Sequence, residues 1–225
     1  GVGYDGDTLN VFVNGETVGT TTVSGVDLTN LVGSSVSMGS NYYGNLADVR
    51  FWNTEVSESM SAWDMLGNIP TVNVNELYGH WPLDEGGGGH SLDASGGGRT
   101  LKVSGTTWSD ETPPRHDAIG MDFDGATSYL KVAHDSASGT NPLALTGDMT
   151  VEAWVNPDSF GAGRVFSFSA ENSTNISLDD EPSNSLYEVF IDSNGDVKWF
   201  QESGAGINST TTFTSTGISL NEWSH

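Results

Sequence analysis

The stretch that decides the fold class is LNVFVNGETVGTTTV, residues 9–23. Apolar and polar residues alternate on both sides of Asn14 and Gly15, which is the period of a half-buried strand. Asn-Gly is the pair that a two-residue type I′ turn favours, because both turn positions need a positive φ. The segment therefore predicts a β-hairpin, and with it an antiparallel sheet.

The same alternation recurs along the chain between clusters of Gly, Asn, Asp and Ser, which is typical of a sandwich or barrel. In one of these segments it places Ala47 on the same face as Val49 and Phe51. Only SESMSAWDML (57–66) has helical character, with Ser57 as its N-cap. The alternating segments are NLADVRFW (45–52), MTVEAWV (149–155), RVFSFS (164–169), YEVFI (187–191) and, after a predicted hairpin turn DSNGD (192–196), VKWF (197–200).

The composition indicates an acidic chain without cysteine. Its 225 residues include 30 Asp and Glu against 7 Lys and Arg, a formal net charge of −23. Nucleic acid is therefore not an expected partner, because a phosphate backbone needs many cations to displace its counterions. No apolar run approaches the ~20 residues of a membrane span, so membrane insertion is not expected. High net charge keeps a surface soluble in salt, and we expect an extracellular or cell-surface location.

Residues 78–225 contain a series of short motifs whose order resembles the first two-thirds of a laminin G-like domain, of the concanavalin A-like lectin/glucanase superfamily. Residues 1–20 and 39–57 resemble the last third of the same domain. The resemblance covers nearly all of the chain except 67–77. It implies an all-β, antiparallel, two-sheet jelly-roll sandwich. The motifs are YGHWPLDEGGGG (78–89), LDASGGGRTLKVSG (92–105), AIGMDFDGATSYLKVAH (118–134), LTGDMTVEAWVNPD (145–158) and SLNEWSH (219–225), with GVGYDGDTLNVFVNGETVGT (1–20) and GSNYYGNLADVRFWNTEVS (39–57) for the last third.

The order of these parts is rotated relative to the family. Residues 1–66 correspond to the C-terminal third, 67–77 to a linker, and 78–225 to the N-terminal two-thirds. The family strand that would join NEWSH to GVGYDG is divided between the two ends of this chain, and the join is one residue short. Either the domain is permuted, or the chain is one period of a tandem array of copies arranged head to tail. We favour the array, because a fold that begins and ends inside a strand leaves unpaired edges.

No catalytic pair of carboxylates is found in the sequence. The glucanases of the resembled fold carry two carboxylates about 5 Å apart on one strand face. Glu152 lies on a predicted strand but has no acidic residue two positions away, and 179–181 is expected to be a loop. Neither G-x-S-x-G nor HExxH occurs, and all five histidines are expected at the surface or in turns. We therefore predict that the chain is not an enzyme.

A structural calcium ion is the cofactor that the resemblance implies, at the place where the first strand and its loop meet the last strand. Transferred to this chain, the ligands are Asp48 from the last strand and Asp84, Glu85 and Asp93 from the first strand and its loop. Calcium prefers such carboxylate and carbonyl oxygens. Asp48 also shares a predicted strand face with Arg50, so an Asp–Arg ion pair is the alternative for that residue.

Two features of the sequence concern glycans. The sequons at Asn172, Asn175 and Asn208 predict N-glycosylation in surface loops if the chain passes through a glycosylating secretory route. Glycans could also be ligands, because this fold often binds sugars with exposed aromatic and amide side chains. The residues considered for that role are Tyr42, Tyr43, Trp108, Trp199 and Asn208.

Taken together, these features predict a non-catalytic, extracellular repeat unit of an adhesin, filament or surface-coat protein. Its expected partners are neighbouring copies of itself, with glycans as a further ligand class. The alternative function is a calcium-dependent carbohydrate-binding module of a secreted multidomain protein.

Overall fold

In the computed structural model, the described residues are 1–23, 34–64, 74–114, 119–132, 147–161, 163–170, 185–203, 207–214 and 216–225. They form a β-rich structure with one short α-helix and one 3-10 turn, Val74–Glu76. The elements are β1 (Val2–Tyr4), β2 (Thr8–Val13), β3 (Glu16–Thr22), β4 (Ser34–Met38), β5 (Tyr43–Trp52), α1 (Glu58–Asp64), β6 (Leu77–Trp81), β7 (His90–Ser91), β8 (Leu101–Ser104), β9 (Thr107–Ser109), β10 (Gly120–Asp124), β11 (Tyr129–Val132), β12 (Met149–Pro157), β13 (Gly163–Ala170), β14 (Ser185–Ile191), β15 (Val197–Ser203) and β16 (Ile207–Phe213).

The strands form two sheets, and the described strand pairs are all antiparallel. Sheet A has the order β3-β2-β1-β12-β5-β10-β9, with β6 pairing to β5 as well. Sheet B has the order β16-β15-β14-β13-β4-β11-β8-β7. The predicted all-β, antiparallel, two-sheet jelly-roll sandwich is confirmed.

Both predicted hairpin turns are confirmed. Asn14 and Gly15 have φ values of 53° and 78°, as a type I′ turn requires, and they join β2 to β3. In the turn between β14 and β15, the N–H of Gly195 donates to the carbonyl of Asp192 over 3.0 Å. The helix is also confirmed, because α1 begins directly after Ser57, whose hydroxyl accepts from the N–H of Met60.

A β-bulge in β5 changes the faces that simple alternation predicts. The register between β5 and β12 shifts at Asp48, which has a positive φ of 47°. Because of the extra residue, Ala47 pairs with Trp154 and lies on the outer face of sheet A, whereas Val49 and Phe51 lie in the core. The prediction that Ala47 shares a face with Val49 and Phe51 was therefore wrong.

The core lies between the sheets and contains a continuous aromatic stack. Phe51 of sheet A stacks on Phe166 of sheet B with ring centroids 5.3 Å apart. Phe166 stacks on Tyr187 at 5.9 Å, and Tyr187 on Trp199 at 5.4 Å. Each such pair contributes about 0.5–1.5 kcal/mol beyond its buried area. These rings tie β5 to three neighbouring strands of sheet B.

Both sequence blocks contribute to each sheet. β4, from residues 1–66, lies between β13 and β11, and β5 lies between β12 and β10. Of the predicted linker 67–77, residues 67–73 lie outside the described part of the chain, and Leu77 already begins β6. One sandwich in one chain therefore includes strands from both blocks.

The two ends of the chain lie in line with each other beside β2, as if they were two parts of one strand. The N–H of Phe12 donates to the carbonyl of Gly1 over 2.8 Å, and the N–H of Asn14 donates to the carbonyl of His225 over 2.9 Å. Along an antiparallel pair, opposite residue numbers change by one per step. One strand position therefore separates the two ends, and it is the position opposite Val13.

The other neighbouring strand, β12, gives the same spacing. Ser224 pairs with Val155 and Val2 pairs with Val151, so Ala153 faces the position between the ends. This position borders a cavity between the sheets that is lined mainly by valine and isoleucine side chains. The one-residue shortfall that the sequence predicts at this join is thus found in the register of both adjacent strands.

Candidate functional site

The outer face of sheet A contains a buried ionic network centred on Asp48. Asp48, Arg50 and His80 are 0%, 1% and 7% exposed, although they face away from the core between the sheets. One carboxylate oxygen of Asp48 accepts from the Arg50 guanidinium over 2.7 Å. The other lies 2.6 Å from Nε2 of His80. Both oxygens of Asp48 are therefore in contact with a nitrogen of β5 or β6.

Glu152 extends this network on β12. It is fully buried and lies opposite Arg50 in the register of the two strands. One of its carboxylate oxygens accepts from the indole N–H of Trp52 over 2.9 Å. Trp52 in turn packs with Val56 and Leu77 in a small apolar cluster that lies outside the main core. The part of the outer face of sheet A around Asp48, Arg50 and Glu152 is thus shielded from solvent, whereas Tyr43 at the start of β5 is exposed.

The C-terminal histidine borders the same region. His225 is 3% exposed and packs on the ring of Trp154 with centroids 5.3 Å apart. Burial lowers the pKa of His225 to about 4, and Glu152 opposes that shift. The side chain is therefore uncharged at neutral pH.

The prediction that all five histidines lie at the surface or in turns was wrong. His80 and His225 are buried, because each meets a polar or aromatic partner on the outer side of sheet A. His90 is exposed. His116 and His134 lie outside the described residues.

This network fits a structural role better than a catalytic one. Its carboxylates carry buried charge, which is costly unless it is paired and hydrogen-bonded. Glycoside hydrolysis needs two carboxyl groups that reach a sugar. Asp48 and Glu152 are both 0% exposed, so a sugar has no access to either.

The four predicted calcium ligands differ in their surroundings. Asp48 contacts Arg50 and His80, so the Asp–Arg ion pair that was the alternative is present. Glu85 accepts from the N–H of Leu92 over 2.6 Å, and Asp84 is exposed. Within the described ranges, no group of three or more His, Asp or Glu side chains is arranged to hold a metal ion. The calcium site stays a prediction.

Asp93, the fourth predicted ligand, organises its own loop. Its carboxylate accepts from the backbone N–H groups of His80, Ser95 and Arg99 at 3.1, 2.9 and 3.0 Å, and from the Ser95 hydroxyl at 2.6 Å. Burial raises the pKa of Asp93, but these hydrogen bonds outweigh burial and hold the pKa below its usual value. The carboxylate therefore fixes the loop after β7 against β6.

The aromatic residues considered for sugar binding divide between core and surface. Tyr42 and Trp199 are 2% and 1% exposed and belong to the core, and Trp108 is partly buried against it. Tyr43 is 46% exposed and borders a shallow pocket with Asn41, Pro157, Ser159 and two glycines. Tyr43 is thus the ring among these that can meet a ligand.

Acidic side chains lie near the Tyr43 pocket. Burial raises the pKa of Asp122, and the nearby charges of Asp158 and Asp124 raise it further. The Thr127 hydroxyl and neighbouring backbone N–H groups hold the pKa of Asp124 far below its usual value. Asp124 therefore stays charged at any physiological pH.

Two of the three predicted glycosylation sites, Asn172 and Asn175, lie outside the described residues. The third, Asn208, belongs to β16, which forms one edge of sheet B. Glycosylation at all three stays a prediction.

Sequence reasoning missed that Glu152 and His80 belong to one buried network with Asp48. One signal was available, since the polar residue Glu152 alternates with Trp154 on a face whose opposite side is entirely apolar. A strand face that carries tryptophan beside a charge is often covered, because large aromatic residues are rarely left in water. No comparable signal in the sequence indicated that His80 of β6 would be buried beside Asp48.

A family model described as Laminin_G_3, of the concanavalin A-like lectin/glucanases superfamily, matches residues 124–225. No curated protein and no solved structure matches the chain significantly. Among the described residues, no helix has the length and apolar character needed to cross a membrane.

Replacing Asp48 with Asn is expected to lower the free energy of unfolding by about 3 kcal/mol, because Arg50 then keeps a buried charge with one partner fewer. Asp84→Asn is the matched control, since Asp84 is exposed and should change stability by less than about 0.5 kcal/mol. Urea unfolding measures both variants.

The same measurement in calcium and in EDTA separates the ion pair from a calcium site. An ion-pair role for Asp48 gives the same loss of stability in both solutions. If EDTA destabilises the unchanged protein as much as the Asp48 substitution does, the calcium role is correct instead.

Proposed function

Because residues 124–225 match a family model of the concanavalin A-like lectin/glucanases superfamily, we propose that this chain is a non-catalytic, extracellular binding module of an adhesion or surface-coat protein. Laminin G-like domains are typically extracellular modules of binding type. The observation that carries the proposal is the burial of Asp48 and Glu152, both of which are hydrogen-bonded on the outer side of sheet A. The open surfaces that remain are suited to recognition.

Purified protein is expected to release no reducing ends from laminarin, agarose or carrageenan, because neither buried carboxylate can reach a glycosidic bond. A reducing-sugar assay over extended incubation checks this. Turnover that is present in the unchanged protein and lost in Glu152→Gln would mean that the module is an enzyme.

We also propose that the module is repeated in tandem, with neighbouring copies of the chain as its partners. Both ends pair with β2 and β12 of their own chain, so the expectation of unpaired edges was wrong. The register around the chain ends is compatible with this proposal, because one residue between His225 and a following Gly1 would make the strand continuous. That residue would alternate with His225 and Gly1 and point between the sheets, into the apolar cavity. A permuted single domain has the same alignment of its ends, so the neighbouring sequence decides between the two.

Peptide mapping of the protein from its natural source tests the array. The expected result is a peptide that reads NEWSH, one apolar residue and then GVGYDG. An apolar residue is expected because burial of its side chain in the cavity would stabilise the sandwich by about 1.5–3 kcal/mol. A source protein in which unrelated sequence adjoins both NEWSH and GVGYDG contradicts the array and leaves the permuted domain.

A second candidate function is carbohydrate binding at the Tyr43 pocket. An exposed ring beside amide and hydroxyl groups is the usual arrangement for stacking a sugar ring, and Asn41 and Ser159 provide those groups. Gly161 leaves room for a ligand at the pocket wall, because no atom lies within 4 Å of the position that a Cβ would take there. Calcium dependence of this binding is part of the candidate function and is tested by adding EDTA.

Tyr43→Ala is expected to weaken binding of a neutral oligosaccharide by about tenfold or more, which corresponds to ~1.4 kcal/mol. Tyr43→Phe is the matched control, because it keeps the stacking ring. Isothermal titration with a panel of neutral oligosaccharides gives both affinities. Equal affinities of the Ala and Phe variants would exclude this pocket as the sugar site.

A further inference from the structure

One half of sheet B combines lysines with an absence of acidic residues. β4, β7, β8 and β11 contain no Asp or Glu, although 30 of the 225 residues are acidic. The same strands contain two of the three lysines, Lys102 and Lys131. This half-sheet is therefore a basic island on an acidic protein.

The basic side chains lie in a row across neighbouring strands. His90 pairs with Lys102, and Lys102 pairs with Lys131. Directly paired residues have Cβ atoms about 4.5–5.5 Å apart on the same face. All three are exposed, and Leu101 and Leu130, which alternate with the lysines, lie in the core. The row is therefore on the outer, solvent-facing side of sheet B.

Hydroxyl groups continue and flank this row. Lys131 pairs with Ser37 on β4, and Tyr129 pairs with Ser104 two residues along β11 and β8. Ser37, Ser104 and Tyr129 are all partly exposed. We call the six residues His90, Lys102, Lys131, Ser37, Ser104 and Tyr129 the basic strip.

The lysines of the strip differ from the other described cations. Within the described residues, neither Lys102 nor Lys131 has a carboxylate within ion-pair distance. Two like charges directly opposite each other also destabilise a sheet. The other four described cations have carboxylate partners: Arg50 with Asp48, Arg99 with Asp93, Arg164 with Glu188 and Lys198 with Asp192.

We propose that the basic strip binds an anionic polysaccharide, with Lys102 and Lys131 on its carboxylate or sulfate groups. Two lysines whose Cβ atoms are about 5 Å apart suit a chain that carries one anionic group on each sugar. The neighbouring hydroxyl groups can exchange hydrogen bonds with ring hydroxyls. This proposal deepens the binding role above and rests on it, but it uses a different surface from the Tyr43 pocket.

The net charge of −23 does not prevent this contact. At physiological ionic strength the Debye length is about 8 Å, so charges outside the strip are largely screened from a ligand bound on it. A nucleic acid is a poorer fit, because its closely spaced phosphates need more cations than the strip has. An acidic patch of a second copy is also a poorer fit, because it would offer carboxylates to the lysines but no sugar hydroxyls to the serine and tyrosine side chains.

The test compares alginate and dextran sulfate with neutral dextran, in isothermal titration at 0.15 M salt. The double variant Lys102→Gln/Lys131→Gln is expected to lose at least tenfold in affinity for both anionic polymers. Lys198→Gln is the matched control, because Lys198 lies in sheet B but is paired with Asp192 at 3.1 Å, and its affinity should change by less than twofold. Neutral dextran should not bind at the strip.

Thermal unfolding checks that the double variant is still folded. Removing two opposed like charges from an exposed face should leave its melting temperature unchanged or slightly higher. Equal binding by the double variant, or no binding of either anionic polymer by the unchanged protein, would overturn the proposal. Self-association that the double variant abolishes, without polymer binding, would assign the strip to a second copy instead. Retained binding of neutral oligosaccharides at Tyr43 would show that only the strip proposal had failed.

Discussion

The Asp48 carboxylate determines which surfaces of this sandwich are available. It lies at a bulge in β5, where the extra residue turns the chain, and it joins Arg50 of β5 to His80 of β6. Glu152 lies on β12 at the opposite edge of β5 and faces Arg50. Charges buried in this way remain stable only when solvent is kept out and partners are kept in place. The middle of the outer face of sheet A, where β5, β6 and β12 meet, is therefore closed to solvent.

The fold was predictable because two local signals agree over most of the chain. Alternation identified the strands, and Asn14-Gly15 identified an antiparallel hairpin without any knowledge of tertiary structure. The bulge at Asp48 was not predictable, because no glycine or proline marks it. A single inserted residue moved Ala47 to the other face of sheet A. Alternation predicts that a strand has two different faces, but it does not predict that the second face is also covered.

The candidate sites were harder to predict because the same residue types serve loops and ligands equally well. Asp93 has the sequence context of a metal-binding loop, yet three backbone N–H groups and one hydroxyl account for its low pKa. Tyr42 and Tyr43 are identical in type and adjacent in sequence. Tyr42 directly precedes β5 and Tyr43 is its first residue, and the two side chains point to opposite sides, so one ring enters the core and the other reaches solvent.

The cations of this protein are few, and their positions matter because its net charge is −23. Such an excess of acids weakens attraction to any anionic ligand. In such a protein, a lysine attracts an anionic ligand most strongly where no carboxylate neutralises its charge. Among the described residues, Lys102 and Lys131 satisfy that condition, and antiparallel pairing sets them side by side. Their mutual repulsion costs the sheet a little stability, and a bound anion would remove that cost, so binding and folding favour the same arrangement.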